Sequence, residues 1–134
     1  MFFVSQVWTD CSGMDAPLIA LKQLGVNFEV LAGSELWEPA QNFWRHHHGS
    51  TGTMYEDLMT RNNKEAIKRH GAPMLYVAGF PCPSFSTAGK RQGAAVAQGQ
   101  IIVYIIKFLR EALPGCFLLE NVCGLLSDHP ETLK

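Results

Sequence analysis

The sequence predicts an α/β fold built on a parallel sheet. Short apolar runs alternate with helix-length stretches along the chain, the pattern of strands joined by crossover helices. Residues with chemistry to offer also cluster at the ends of the apolar runs: Asp10 to Asp15, Glu35, Asp57, Cys82 and Glu120. Parallel sheets bind their ligands outside the carboxyl ends of their strands, so that clustering fits the same fold.

The elements follow in order. Phe2–Trp8 reads as a strand and Thr9–Asp15 as a polar turn around Gly13. Ala16–Leu24 has helical periodicity, with Asp15 as its N-cap, Pro17 in the first turn and Gly25 as the stop. Phe28–Leu31 reads as a second strand ending near Glu35, and Pro39–His48 as a helix. After the loop Gly49–Thr53, a short third strand precedes Asp57. Asn63–His70 reads as a helix stopped by Gly71, and Met74–Ala78 as a fourth, fully apolar strand. Gly99–Leu113 is the strongest helix, ended by Pro114-Gly115, and Phe117–Leu119 reads as a fifth strand.

Composition bounds the function. A chain of 134 residues with 47% apolar content makes one domain with a sizeable core. A formal net charge of −1 excludes a nucleic-acid binder that works by bulk charge; any basic surface must be local. Cys11, Cys82, Cys116 and Cys123 form no CxxC pair and read as reduced thiols, not a disulfide framework. Met1–Val4 has no basic segment or cleavage site of a secretory signal. The stretch Ile101–Leu113 contains Lys107 and Arg110 and is too short to span a bilayer, so no membrane partner is expected. His46, His47 and His48 point in different directions on a helix and cannot converge on one ion. No metal is expected there; the three read as a solvated helix end whose cationic form suits the dipole.

The chemistry concentrates in Gly79-Phe80-Pro81-Cys82-Pro83-Ser84-Phe85-Ser86. Prolines on both sides restrict the backbone around the thiol. A cysteine so held at a strand end is a poor core filler and a good nucleophile, although most free cysteines are buried structural ones. Glu120 ends the next apolar run and is either a surface charge or a site carboxylate beside low-dielectric walls. The turn holding Cys11, Gly13 and Met14 lies where a nucleotide-type cofactor meets backbone amides. Glu35, about 20 residues on, stands where an acid binds ribose hydroxyls. Leu36 and Trp37 can cover an adenine face, and Asp57-Leu58 can contact its edge or simply cap and pack. Lys90 and Arg91, in the small-residue stretch Thr87–Gly93, read as the basic part of a mobile lid that reaches phosphates.

These motifs resemble those of cytosine C5 methyltransferases. The octapeptide around Cys82 is similar to the family's Pro-Cys nucleophile motif, Glu120-Asn121-Val122 to its Glu-Asn-Val motif, and Asp10–Ala16 to its cofactor glycine motif. The chain departs from the pattern at Cys11, where an aromatic is usual, and at Asp15, where a second glycine is usual.

The resemblance implies an incomplete Rossmann-like fold of the S-adenosylmethionine-dependent methyltransferases: a parallel sheet of about five strands with helices on both faces. It implies that residues 1–134 form the N-terminal part of a catalytic domain, without the target-recognition region. It implies S-adenosylmethionine as cofactor, touched by Cys11, Gly13, Met14, Glu35, Leu36, Asp57, Leu58 and Pro81. Cys82 would be the nucleophile toward cytosine C6, and Glu120 the carboxyl that holds the ring. Ser84, Ser86, Lys90 and Arg91 would meet nucleic acid, with Asn121 and Val122 in support. DNA is the expected partner, with RNA as the alternative substrate and a catalytically incompetent binding fragment as another reading. The expected location is the nucleus in a eukaryote and the cytoplasm in a prokaryote.

Overall fold

The computed structural model describes residues 3–81 and 100–122. Within them, β1 (Phe3–Asp10), α1 (Ala16–Gln23), β2 (Asn27–Ser34), α2 (Glu38–His48), β3 (Thr53–Tyr55), α3 (Asn63–His70), β4 (Leu75–Gly79), α4 (Ile101–Ala112) and β5 (Cys116–Glu120) follow one another. The five strands make one sheet in the order β3-β2-β1-β4-β5, and every pairing is parallel. This is the expected α/β architecture with helices on both faces.

Alternation along β1 sorts the two faces. Val7 packs with Leu18 of α1, Val30 of β2 and Trp44 of α2. Trp8 turns the other way, into a larger core with Tyr76, Ala66 of α3 and Ile102, Ile105 and Phe108 of α4. The buried positions of α4, Ile101, Ile102, Ile105, Phe108 and Ala112, recur at helical spacing. Its isoleucines are not strong helix formers, so this stripe packed on the sheet holds the helix more than propensity does.

β1 runs past its sequence-predicted end, through Thr9 and Asp10, while β2 continues through Ala32, Gly33 and Ser34 to end beside Glu35, as expected. These residues pair with one another, Trp8 with Ala32, Thr9 with Gly33 and Asp10 with Ser34. Ala32–Ser34 have little strand propensity, but a larger side chain would not fit everywhere. A Cβ on Gly33 would lie 3.0 Å from Trp44 Nε1, Ser12 Oγ and the Thr9 carbonyl. Close packing decides the residue here, and pairing on both sides decides the conformation.

The start of α1 also differs from expectation. Asp15 adopts a left-handed conformation (φ 56°) and its side chain makes no capping bond. Its carbonyl accepts from the Leu18 and Ile19 amides, while its carboxylate is fully buried. The expected Asp N-cap is therefore a backbone cap only. Asn62 does cap α3, its Oδ1 accepting from the Glu65 amide at 3.3 Å. No described helix is long and apolar enough to cross a membrane.

β5 forms the sheet edge beyond β4, and Phe117 and Leu118 on it are each 58% exposed. The Trp8 face of β1 and β4 is covered by Phe108, whose ring lies 4.8 Å from Trp8 and 4.9 Å from Tyr76, centroid to centroid. Phe108→Ala would empty the centre of this cluster and is expected to cost about 3–5 kcal/mol, read as a lower urea midpoint at unchanged slope.

Candidate active site

The strand order reverses between β1 and β4, and the loops leaving their carboxyl ends frame two neighbouring clefts. The first holds about 350 Å³ and is lined by Cys11, Gly13, Glu35, Leu36, Trp37, Asp57, Leu58, Met59, Gly79 and Pro81, among others. The second, of similar size, lies against Thr9, Ser12, Met14, Asp15, Leu118 and Glu120, and shares Cys11 and Gly79 with the first.

The first cleft is braced by carboxylates. Glu35, just past β2, accepts from the Gly13 amide at 2.8 Å with Oε2 and from the Trp37 amide at 2.9 Å with Oε1. One lone pair on each oxygen is left for another donor. Gly13 has φ 51°, a conformation a side chain would strain, so the loop can present its amide to Glu35. Asp57 accepts from the Met59 amide at 2.8 Å, which closes the turn after β3. Leu36 and Trp37 are 70% and 63% exposed, so each leaves an apolar surface open beside the cleft. Leu58 is buried beneath it.

Cys11 sits at the shared wall with φ 52°. Burial, reinforced by the carboxylates of Asp10 and Glu35, pushes its thiol up to about 12. It is neutral at physiological pH and unsuited to act as a nucleophile.

Glu120 ends β5 directly opposite Gly79 at the end of β4. Its Oε2 would be 3.4 Å from a Cβ on Gly79, so the two residues are in contact range at the strand ends. Asn121 ties the two strand ends together: its Nδ2 donates to the Phe80 carbonyl at 2.9 Å, and its Oδ1 accepts from the Val122 amide at 2.9 Å. Val122 packs against the main core. Gly79, Pro81 and Glu120 thus come together, and Cys82 follows Pro81 in the chain. Cys82, Ser84, Ser86, Lys90 and Arg91 themselves lie outside the described residues.

Comparison with known proteins decides the family. The sequence model of the C-5 cytosine-specific DNA methylases matches residues 10–134. The chain belongs to that family. It is 33% identical over 124 residues to Type II methyltransferase M.HpaII of Haemophilus parainfluenzae, covering 92% of this chain and 33% of that protein. It is 32% identical over 125 residues to Orphan methyltransferase M.SPRI of Bacillus phage SPR, covering 92% of this chain and 28% of the relative. The crystal structure of S. pombe Dnmt2 methyltransferase superposes with a TM-score of 0.73 at 21% identity, over 96% of this chain and 40% of that one, a likeness of fold. Over these alignments the chain spans a third or less of the length of the curated relatives.

Two features of this methylase chain were not visible as site residues in its sequence. One is the Asp10 carboxylate, gripped by Arg61 from the turn before α3. In sequence Asp10 reads as one more residue of a polar turn, and nothing local to Thr60-Arg61-Asn62 marks its partner.

The other is Asp15. Its Oδ2 accepts from Thr9 Oγ1 at 3.5 Å and lies 3.9 Å from His48 Nε2, while its Oδ1 has no partner among the described residues. Burial raises its pKa from 3.8 to about 7, against the Thr9 hydroxyl, which lowers it. Burial also lowers the pKa of His48, helped by His47 and Lys22. The expected cationic helix end therefore does not extend to His48, and its contact with Asp15 is not a charged pair at neutral pH.

A carboxyl held protonated in the fold stabilises it at low pH and loses that effect as pH rises from 3.8 through about 7. The wild-type chain is expected to lose up to about 1.4 kcal/mol per pH unit in that window relative to Asp15→Asn, which cannot ionise. Parallel urea titrations of the two from pH 4 to 8, a window set by that shift, check this; curves that stay parallel would contradict it.

Proposed function

We propose that this chain supplies the catalytic half-site for methyl transfer from S-adenosylmethionine to C5 of cytosine in DNA. The observation that carries the reading is the register of β4 and β5. It places Gly79, three residues before Cys82, directly beside Glu120, at the rim where the two clefts meet.

The residues lining the first cleft fit the cofactor. Glu35 and Asp57 offer acceptors for ribose hydroxyls and an exocyclic amine, and Leu36, Trp37 and Leu58 offer apolar faces for a purine. When bound, S-adenosylmethionine supplies a methyl group activated on a sulfonium.

The chain's own residues prepare the base to take it. Cytosine C5 is a weak nucleophile. Attack of the Cys82 thiolate on C6 forms a carbon–sulfur bond and pushes the ring electrons toward C5. Glu120 holds N3 and the exocyclic amine and shares a proton with the ring as charge develops there. Once C5 carries the methyl group, a solvent base takes the C5 proton, its electrons re-form the C5–C6 double bond, and the Cys82 thiolate leaves C6. Pro81 and Asn121 hold the two strand ends at fixed separation. Ser84, Ser86, Lys90 and Arg91 supply hydroxyls and positive charge for the phosphates of the strand. A base inside a duplex must leave the stack to reach this rim.

Transfer of a tritiated methyl group to DNA by the native gene product tests the reading. Cys82→Ala is expected to abolish labelling, and Glu120→Gln to slow it by about 100-fold or more, the usual scale for a positioned proton-transfer group. Labelling that survives Cys82→Ala would remove the nucleophile assignment. Labelling of transfer RNA in preference to DNA would move the substrate class while leaving the chemistry in place.

A further inference from the structure

The strongest interaction beside the clefts belongs to residues that touch neither base nor cofactor in the scheme above. Arg61 donates from Nη1 to Asp10 Oδ1 at 2.6 Å and from Nη2 to Asp10 Oδ2 at 2.8 Å. The Arg61 side chain is 1% exposed and that of Asp10 0%. Other side chains complete the pair's hydrogen bonds. Tyr76 Oη donates to Asp10 Oδ2 at 2.8 Å, Trp8 Nε1 to Oδ1 at 3.3 Å, and Arg61 Nε to Asn63 Oδ1 at 3.1 Å. The guanidinium is caged by the rings of Phe108, Trp8 and Tyr55, at 4.7, 5.0 and 5.5 Å.

The pair joins two separate segments at the point where they become cleft wall. Asp10 is the last residue of β1, and Cys11 and Gly13 after it line one wall. Arg61 closes a turn on Asp57 through its own amide, 3.2 Å from the Asp57 carbonyl, and Asp57, Leu58 and Met59 line the facing wall. In sequence the two ends are 51 residues apart. Only β2 lies between β1 and β3, so the clamp ties the turn after β3 to the end of β1 above the sheet. A bidentate pair fixes direction as well as distance, which a lysine or an apolar contact would not.

We propose that Arg61, acting through Asp10, is a positioning residue that sets the separation of the two walls of the first cleft and so the fit of the cofactor. The cofactor part rests on the function proposed above; the wall geometry does not.

Two measurements separate those parts. Amide hydrogen exchange is followed at Gly13 and Met59, whose N–H groups hold the two walls, with Val7 and Val77 as core controls. In Asp10→Leu/Arg61→Met/Tyr76→Phe, both charges and the buried hydroxyl that serves them go while the bulk stays, an exchange that is often neutral for global stability. Exchange at Gly13 and Met59 is expected to rise about tenfold, the scale of a lost charged hydrogen bond, with the thermal midpoint and the core amides unchanged. Arg61→Lys is expected to do the same with the charge retained, and Tyr76→Phe to give a smaller rise in the same direction. Unchanged exchange at Gly13 and Met59 in a folded variant would overturn the proposal, as would a rise shared equally by the core amides. Calorimetry with S-adenosylhomocysteine gives the second measurement, with affinity expected to fall about tenfold in Arg61→Lys. A wild-type chain that does not bind S-adenosylhomocysteine would count against the cofactor reading alone, and the exchange result would still judge Arg61.

Discussion

The handedness of strand crossovers governs where everything else sits. A connection between parallel strands turns right-handed, so the direction in which the sheet grows fixes which face receives the helix. From β1 the sheet grows through β2 to β3, and α1 and α2 pack on the Val7 face. The chain then returns past β2 and β1 to lay down β4 and grows the other way to β5, which forces α3 and α4 onto the Trp8 face. The helix that follows β1 and the helix that follows β4 therefore lie on opposite faces. The clefts shared by Cys11 and Gly79 open where they part. The position of the site follows from the order of the strands before any side chain is chosen.

That geometry leaves the end of β1 facing two different interiors. The reversal point has to be rigid, because one wall comes from β1 and the other from a turn reached only after two further strands. An ion pair buried away from water is an expensive way to join them. Losing one partner of such a pair costs about 3–5 kcal/mol, whereas a well-packed apolar pair of the same size is often no less stable. What the ion pair adds is direction. Burial disfavours the charged form of Arg61, but the Asp10 carboxylate outweighs it and holds the pKa above its ordinary value. Burial and the same carboxylate raise the pKa of Tyr76, so its hydroxyl stays a donor. Each acceptor position on Asp10 is filled by a group whose protonation is fixed across the physiological range.

The sequence made the architecture legible because its signals were local. Apolar runs bounded by Gly, Pro and Asp marked all five strands, and Gly25, Gly71 and Pro114 marked helix ends that the fold keeps. The family motifs marked Gly13, Glu35, Asp57 and Glu120, and the fold brings these to the clefts at the ends of β1, β2, β3 and β5. What the sequence concealed depends on contacts between distant segments. Thr9-Asp10 looks like the start of a polar turn, and becomes strand because β2 and β4 pair with it from both sides. Arg61 looks like one of many solvated cations until a partner 51 residues away is placed beside it. Asp15 looks like a helix cap, and only the packed fold shows its side chain turned inward toward Thr9 and His48.

Asp10 and Asp15 show how one turn can carry two buried carboxylates in opposite electrostatic states. Asp10 lies on the Trp8 face, where a guanidinium, a phenol and an indole reach it, and its charge is compensated in place. Asp15 lies on the Val7 face, where the candidates are a hydroxyl at 3.5 Å and an imidazole whose own charge is disfavoured by burial. No cation among the described residues is within bonding distance there, so Asp15 relieves the cost of burial by taking up a proton, as the rise to about 7 records. The turn between them, Cys11 to Met14, is thus held by charge from one side of the sheet and by a neutral carboxyl from the other. A second buried charge on the Val7 face would have needed its own cation within a core built from Leu18, Val30 and Trp44. The lower-cost solution is the one the fold adopts: one face carries the ion pair and keeps its geometry at any physiological pH, and the other carries a group whose charge changes near neutrality. The end of the loop at Asp15 thus carries a group whose charge changes near neutrality, while its other end is held by the bidentate Arg61–Asp10 pair.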